Sequence, residues 1–217
     1  MPVQRLCRGS MEADVPSPMD FQLPSDAARW AATAMVKRPW RQSFFRSFVA
    51  ELESLASAES SILELGSGPG FLARQILESL PRVTYTALDF SGPMHALAKE
   101  RLGPLAERVH FVERDFKAPG WAAGLSPCDA VVTLQAVHEL RHKRHAASLY
   151  DAVRRLLRPG GLFLVCDHVF GEGSNRDASL YMTLDEHRNV LSDAGFSAHQ
   201  VRHEGGMVLY RAQVVKP

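Results

Sequence analysis

From residue 61 onward, short continuous apolar runs alternate with segments of helical periodicity, and this alternation most restricts the fold open to the chain. Ile62-Leu63-Glu64-Leu65 reads as a strand that ends at a glycine turn. Residues 83–88 are rich in β-branched and aromatic side chains, and 109–112, 130–134 and 162–166 are compact apolar runs. Helices are expected over 71–80, stopped by Pro81, and over 91–102, with Pro93 in the first turn. Ala146, Leu149, Val153, Leu156 and Leu157 mark another helix, ended by Pro159-Gly160-Gly161. Thr183 and Glu186 have capping-box spacing for a helix that stops at Gly195. Two last strand-like runs, near 198–201 and 207–215, are joined through Gly205-Gly206. Strands apolar along their whole length are covered on both faces. The pattern therefore predicts an α/β fold: a doubly wound, mostly parallel seven-stranded sheet with helices on both faces. The closing strand-turn-strand predicts one antiparallel edge strand.

Upstream, residues 1–24 are rich in Pro, Ser and charge, which predicts a mobile tail. Ser25 and Asp26 are candidate caps for a helix carrying Ala27, Trp30, Ala31, Ala34 and Met35 at helical spacing. Pro39 breaks it. Trp40, Phe44, Phe48, Leu52 and Leu55 form a second apolar stripe, widened by Phe45 and Val49. Three parts are expected: a tail (1–24), helices capping a site (25–60) and the α/β domain (61–217). Trp30, Trp40, Phe44, Phe45 and Tyr181 are candidates to line a pocket, although aromatics in such stripes mostly pack as core.

The formal net charge of +1 gives no bulk reason to expect a polyanion partner. Cys7, Cys128 and Cys166 are odd in number and widely spaced, with no CxxC pair. That disfavours a disulfide framework or a Cys-rich zinc site, and predicts reduced thiols. No apolar run is long enough to span a bilayer, and no signal-peptide core is present. A cytoplasmic protein, monomeric or homodimeric, is expected.

The most informative segment is Glu64-Leu65-Gly66-Ser67-Gly68-Pro69-Gly70-Phe71, placed where a strand turns into a helix. Open α/β sheets bind ligands at such turns. The dinucleotide fingerprint G-x-G-x-x-G is not met, because the third glycine comes one position early and residue 71 is Phe. No Gly-Lys-Ser/Thr follows, so a Walker loop is absent as well.

An acidic residue followed by G-x-G-x-G resembles the first motif of the class I S-adenosylmethionine-dependent methyltransferases, matched here by Glu64, Gly66, Gly68 and Gly70. The resemblance extends over roughly residues 25–217. It implies a Rossmann-like fold and S-adenosylmethionine as methyl donor, with S-adenosylhomocysteine as product. It also implies cofactor binding by the glycine loop including Ser67, by Asp89 with Phe90, by Asp115 with Phe116, and by Gln135. Asp89 ends the second strand, where the family's acid accepts both ribose hydroxyls; a carboxylate has the oxygens to do so. Asp115 stands where an acid accepts from the adenine amino group, with Phe116 against the ring. Gln135 lies in the loop that passes the methionine end.

A rival pattern is His138-Glu139-Leu140-Arg141-His142, a literal H-E-x-x-H. On a helix this spacing puts two imidazoles on one face to bind zinc. Here it directly follows an apolar strand, with Lys143 and Arg144 adding positive charge, so no metal is expected. His138 instead becomes the candidate general base for an acceptor that must lose a proton. The leading expectation is methyl transfer to a small-molecule acceptor. RNA or protein methylation would need a basic surface, such as Arg141, Lys143, Arg144 and His145. A noncatalytic cofactor-binding module is the other alternative.

Overall fold

The computed structural model describes residues 13–55 and 59–215. Cys7 and the first half of the expected tail lie outside the described residues. Two helices come first, α1 (Pro24–Lys37) and α2 (Arg41–Leu52). Strands and helices then alternate: β1 (Ser61–Leu65), α3 (Phe71–Ser79), β2 (Thr84–Asp89), α4 (Gly92–Leu102), β3 (Val109–Glu113), β4 (Cys128–Leu134), α5 (Ala146–Leu156), β5 (Leu157–His168), α6 (Leu184–Asp193), β6 (Phe196–Glu204) and β7 (Met207–Val214).

The seven strands form one sheet in the order β3-β2-β1-β4-β5-β7-β6. β1 pairs in parallel with both β2 and β4. The chain winds outward from β1 to β3 and then returns to place β4 on the other side of β1. This reversal opens a crevice beyond the carboxyl ends of β1 and β4, where doubly wound sheets bind ligands. β7 is the antiparallel strand, paired to β5 and β6. It lies one place in from the edge, because the hairpin through Gly205 and Gly206 folds back between β5 and β6.

Side chains alternate between two core layers, as strand geometry requires. Leu63, Leu65, Val131, Phe163 and Val165 face the layer shared with Leu149, Tyr150 and Val153 of α5. Ile62, Val132, Leu164 and Cys166 face the layer filled by Phe44, Phe48, Ile76 and Leu77. Cys128 and Cys166 are free, buried thiols. Among the described residues, no helix is long and apolar enough to cross a membrane.

The helix ends follow local chemistry. Ser91 Oγ accepts from Met94 N at 3.0 Å and caps α4. Thr183 and Glu186 form both bonds of the expected capping box. α1 differs from expectation at its start. It begins at Pro24, whose fixed φ suits the first helical position, and Asp26 accepts from Asp20 N and Arg29 instead of capping. α1 ends because Pro39 disfavours the helical conformation at the residue before it. Arg38 accordingly leaves the helix at φ −138° and ψ 68°. Trp40 then packs against the β6–β7 turn, where a Cβ on Gly205 would come within 2.4 Å of its ring.

Residues 13–23, which composition placed in a mobile tail, are held by specific bonds. Val15 N donates to Arg141 O at 2.7 Å, and Ser91 Oγ donates to Phe21 O. Gln22 Nε2 donates to Phe90 O at 2.6 Å. These partners are backbone carbonyls and polar groups at the carboxyl edge of the sheet, which low hydrophobicity does not reveal.

Candidate cofactor and acceptor site

A cavity of about 560 Å³ lies beyond the carboxyl ends of β1, β2 and β4. Its size is that of a site for a small organic ligand. The glycine loop forms its floor, and Gly66 N and Ser67 N tie the loop to Leu88 O at 2.8 and 3.1 Å. The three glycines serve different ends. Gly66 has φ +66°, and a Cβ there would lie 2.3 Å from the Ala136 Cβ, so the close approach of two loops requires glycine. Gly70 caps α3 at φ +77° and sits against Ala98. Gly68 has φ +52° and open space beside it, leaving backbone accessible on the cavity side.

Asp89 is 5% exposed and ends β2. Its Oδ2 accepts from Gly68 N at 2.7 Å and its Oδ1 from Ser91 N at 2.9 Å. Each oxygen retains acceptor capacity toward the cavity. Burial raises its pKa to about 6 despite those backbone donors. Glu64 also lines the cavity but is turned inward, with Tyr85 Oη donating to Oε2 at 2.8 Å. Burial pushes its pKa to about 8, so the carboxyl is mostly neutral at pH 7. Asp115 is exposed on the rim, where Oδ1 accepts from Lys117 N at 2.8 Å. Phe116 is buried beneath Gly66, and Phe90 meets Phe21 edge-on with centroids 6.5 Å apart.

Among the described residues, three buried side chains on the cavity wall hold polar atoms without a partner. They are Ser67 Oγ, Gln135 Oε1, and Nε and Nη1 of Arg41. Buried polar groups are seldom left unpaired, so these atoms mark where a polar ligand completes the structure. Gln135 has φ +56°, an uncommon conformation for a side-chain-bearing residue, and one that clusters at ligand sites. Arg41 is 4% exposed and lies among the rings of Trp30, Phe45 and Phe71, at 5.3, 5.8 and 5.5 Å from their centroids. Burial lowers its pKa to about 10, so it stays charged. Among the described residues it has no ion-pair partner. The residues present thus fit S-adenosylmethionine: Asp89 suits a ribose diol, and Arg41 suits the carboxylate of an amino-acid end. Arg41 was invisible to sequence reasoning, because an arginine at the start of an amphipathic helix reads as surface.

Across the cavity from Asp89, the loop after β4 presents His138. Its Nδ1 bonds Asp167 Oδ1 at 2.7 Å, and its backbone N donates to Asp167 Oδ2 at 2.9 Å. His168 N also donates to Asp167 Oδ1, at 2.7 Å. Asp167 is 3% exposed and, with three donors on it, fixes the ring rather than facing the cavity. The other ring nitrogen, Nε2, lies 3.3 Å from Glu139 Oε1. Only an imidazolium donates from both nitrogens, so the ring rests protonated. Burial pulls the His138 pKa down, but the two carboxylates outweigh it and raise the value to about 10. His168, 5.0 Å away between ring centroids, is driven the other way by burial and by His138, to about 3. Tyr181 completes this cluster, 5.9 Å from His138 and 5.6 Å from His168. Asp167 was not foreseen, since an acid next to a buried strand end has no motif around it.

The H-E-x-x-H pattern is not helical. Val137–Leu140 is a single 3₁₀ turn, and Arg141 breaks it at φ +65°. His138 and His142 therefore do not share a helix face. His138, Asp167 and His168 offer ring nitrogens and a carboxylate within 4.8 Å of one another, but Asp167 already accepts three hydrogen bonds there. The proposed basic surface is internally paired. Arg141 bonds Glu139 and the carbonyls of Val15 and Pro16, Lys143 bonds Glu186, and Arg144 and His145 bond Asp14. Of the aromatics expected at a pocket, Trp30 lines the cavity, whereas Phe44 and Phe45 are core.

Residues 17–21 form the roof of the cavity. Asp14, just upstream, bonds Lys117, Arg144 and His145, and Phe21 bridges toward Trp30 at 6.2 Å.

Residues 62–161 match a family described as a methyltransferase domain. A malonyl-[acyl-carrier protein] O-methyltransferase of Paenibacillus sp. (strain JDR-2) is 25% identical over 191 residues, 80% of this chain and 68% of that protein. A highly reducing polyketide synthase of Aspergillus aculeatus is 33% identical over 115 residues, 50% of this chain but 5% of that protein. Among solved structures, a DhpI–SAH complex superposes with TM-score 0.67 at 21% identity, covering 89% of this chain and 95% of that one. The sheet order, the glycine loop and this superposition together show a Rossmann-like methyltransferase fold, within which residues 62–161 match the methyltransferase-domain family.

Proposed function

We propose that the protein transfers a methyl group to a small acceptor seated against His138, in a cytoplasmic setting and as a monomer or homodimer. The observation that carries this reading is a cavity lined by both the glycine loop with Asp89 and the His138 ring that Asp167 holds. S-adenosylmethionine supplies an already activated methyl. The chain's own residues need only position the acceptor in line and exclude water.

In this reading Gly66, Ser67, Gly68 and Gly70 hold the cofactor's amino-acid end with Glu64 beneath them. Arg41 meets its carboxylate, Asp89 accepts from its ribose, and Phe90, Asp115 and Phe116 surround its adenine. Gln135 presents its side chain between cofactor and acceptor. Asp167 positions His138. At rest the ring is an imidazolium and a hydrogen-bond donor; it can take a proton from an acceptor only after Nε2 has given up its own proton, for example to Glu139. Paired charges around Arg141 and Arg144, and the cavity's closure by residues 17–21, support a small acceptor over a nucleic acid. Unpaired thiols at Cys128 and Cys166 agree with a reducing compartment.

Replacing His138 with Gln tests the reading. S-adenosylhomocysteine affinity should stay within about threefold, while turnover on a found acceptor should fall about 100-fold or more. Undiminished turnover would remove His138 from the site. Cofactor binding without turnover on any acceptor in a broad screen would favour a noncatalytic binding module.

A further inference from the structure

Three guanidinium groups line the cavity; Arg141 is paired with Glu139 and two backbone carbonyls, and one S-adenosylmethionine carboxylate answers only one of the remaining two. Arg41 is the deeper, beside Phe71 at the start of α3 and within electrostatic reach of Glu64. That is the glycine-loop end. Arg38 is close enough to Arg41 for the two charges to oppose each other. Pro39 forces it out of α1, and it turns into the cavity half-buried. Its charge acts on Tyr181 and His168, the two rings packed against His138. Among the described residues its side chain has neither a hydrogen bond nor an ion pair. A cation drawn out of water in this way is costly unless something pairs with it.

The surrounding charges do not supply that partner. Asp167 is committed to His138 and to two backbone donors. Glu139 lies between His138 and Arg141. Glu64 is held by Tyr85, away from Arg38. His138, flanked by carboxylates on both nitrogens, is itself a donor. Among the described residues, the carboxylates nearest His138, Asp167 and Glu139, are thus already paired.

Resting on the functional reading above, we infer that the acceptor carries a carboxylate and that Arg38 binds it, with the planar guanidinium fork matching the planar carboxylate. Arg38 is then a specificity-determining residue: it selects anionic acceptors and orients them toward His138. An uncharged analogue of the same shape leaves the guanidinium unpaired and is rejected on that account.

The test uses the full chain saturated with S-adenosylhomocysteine, titrated calorimetrically with benzoate and separately with benzamide, its uncharged isostere. Benzoate should bind at least about tenfold more tightly than benzamide. Arg38→Gln should bring that ratio to about one while S-adenosylhomocysteine affinity stays within about twofold. Arg38→Lys, which keeps the charge, should restore part of the preference and guards against a fold defect. Equal binding of the two probes, no binding of either, or a preference that survives Arg38→Gln overturns the inference. A loss of S-adenosylhomocysteine affinity above about tenfold in Arg38→Gln also overturns it, by assigning Arg38 to the cofactor. Failure of the unaltered protein to bind S-adenosylhomocysteine at all counts instead against the methyltransferase site.

Discussion

Asp89→Asn exchanges one carboxylate oxygen for an amide nitrogen in the wall of the cavity and should cost most of the cofactor affinity. Both Asp89 oxygens accept one backbone N–H, from Gly68 at 2.7 Å and Ser91 at 2.9 Å. Each has one further acceptor direction, enough for two ribose hydroxyls. Hydrogen bonds to a charged group are worth about 1.5–3 kcal/mol each. Asparagine loses the charge and keeps a single oxygen, so one such bond disappears and the other weakens. A loss of about 2–4 kcal/mol corresponds to roughly 30- to 1000-fold in Kd. The amide nitrogen also confronts one of the two backbone N–H groups, and the unfilled donor lowers stability by about 1–3 kcal/mol. Calorimetric titration with S-adenosylhomocysteine reads the affinity, and thermal melting shows that the variant is folded. The pH dependence provides a second reading of the same atoms. Burial holds the pKa near 6, and the ionised form is the one that accepts both hydroxyls. Affinity in the unaltered protein should therefore be full above about pH 7 and decline as pH falls through 6, and Asp89→Asn should lack that decline. A folded Asp89→Asn protein that binds within about threefold of the original would refute the role of this carboxylate.

Two more outcomes follow from packing and charge. Gly66→Ala puts a methyl group 2.3 Å from the Ala136 Cβ at φ +66°, so it should lower Tm by several degrees and abolish S-adenosylhomocysteine binding; a fully active variant would mean that the two loops part easily. Asp167→Asn breaks a buried pair, a change that costs about 3–5 kcal/mol, or very roughly 6–20 °C for a chain of this size. The sign with pH is set by both partners. The His138 pKa is raised, so its contribution is full below about pH 6.5 and is lost as pH rises through 10. The Asp167 pKa is depressed by His138 against the effect of burial, so its contribution is present above about pH 4 and is lost in stronger acid. The Tm gap between Asp167→Asn and the unaltered protein should thus be widest between about pH 4 and 6.5 and close toward pH 10, as melting across that range would reveal.

Much of the scaffold was legible because its signals are local. Thr183 and Glu186 announce a helix start by spacing alone, and both bonds form. The glycine loop announces a strand-to-helix turn, and Gly66, Gly68 and Gly70 all take positive φ. Asp89 could be placed because the strand ends on it. What stayed hidden depends on contacts between distant segments. Asp167 meets His138 across 29 residues, and Arg38 and Arg41 reach the cavity only because Pro39 redirects the chain. The H-E-x-x-H string misleads for the opposite reason, since its meaning depends on a helix that Arg141 interrupts. The place of β7, one strand in from the edge, depends on where a hairpin inserts, which no periodicity encodes.

The segment over the cavity has a consequence for where the working unit begins. Residues 17–21 contain no helix or strand and lie on the surface, yet they form one wall of the site. A homologous chain that started at α1 would retain the whole sheet, both apolar layers and the glycine loop. It would superpose closely on this one, with its cavity unroofed, Phe90 and Lys117 without the partners they have here, and Arg141 left with Glu139. Architecture and competence therefore have different boundaries in this protein, and the second extends upstream of the first.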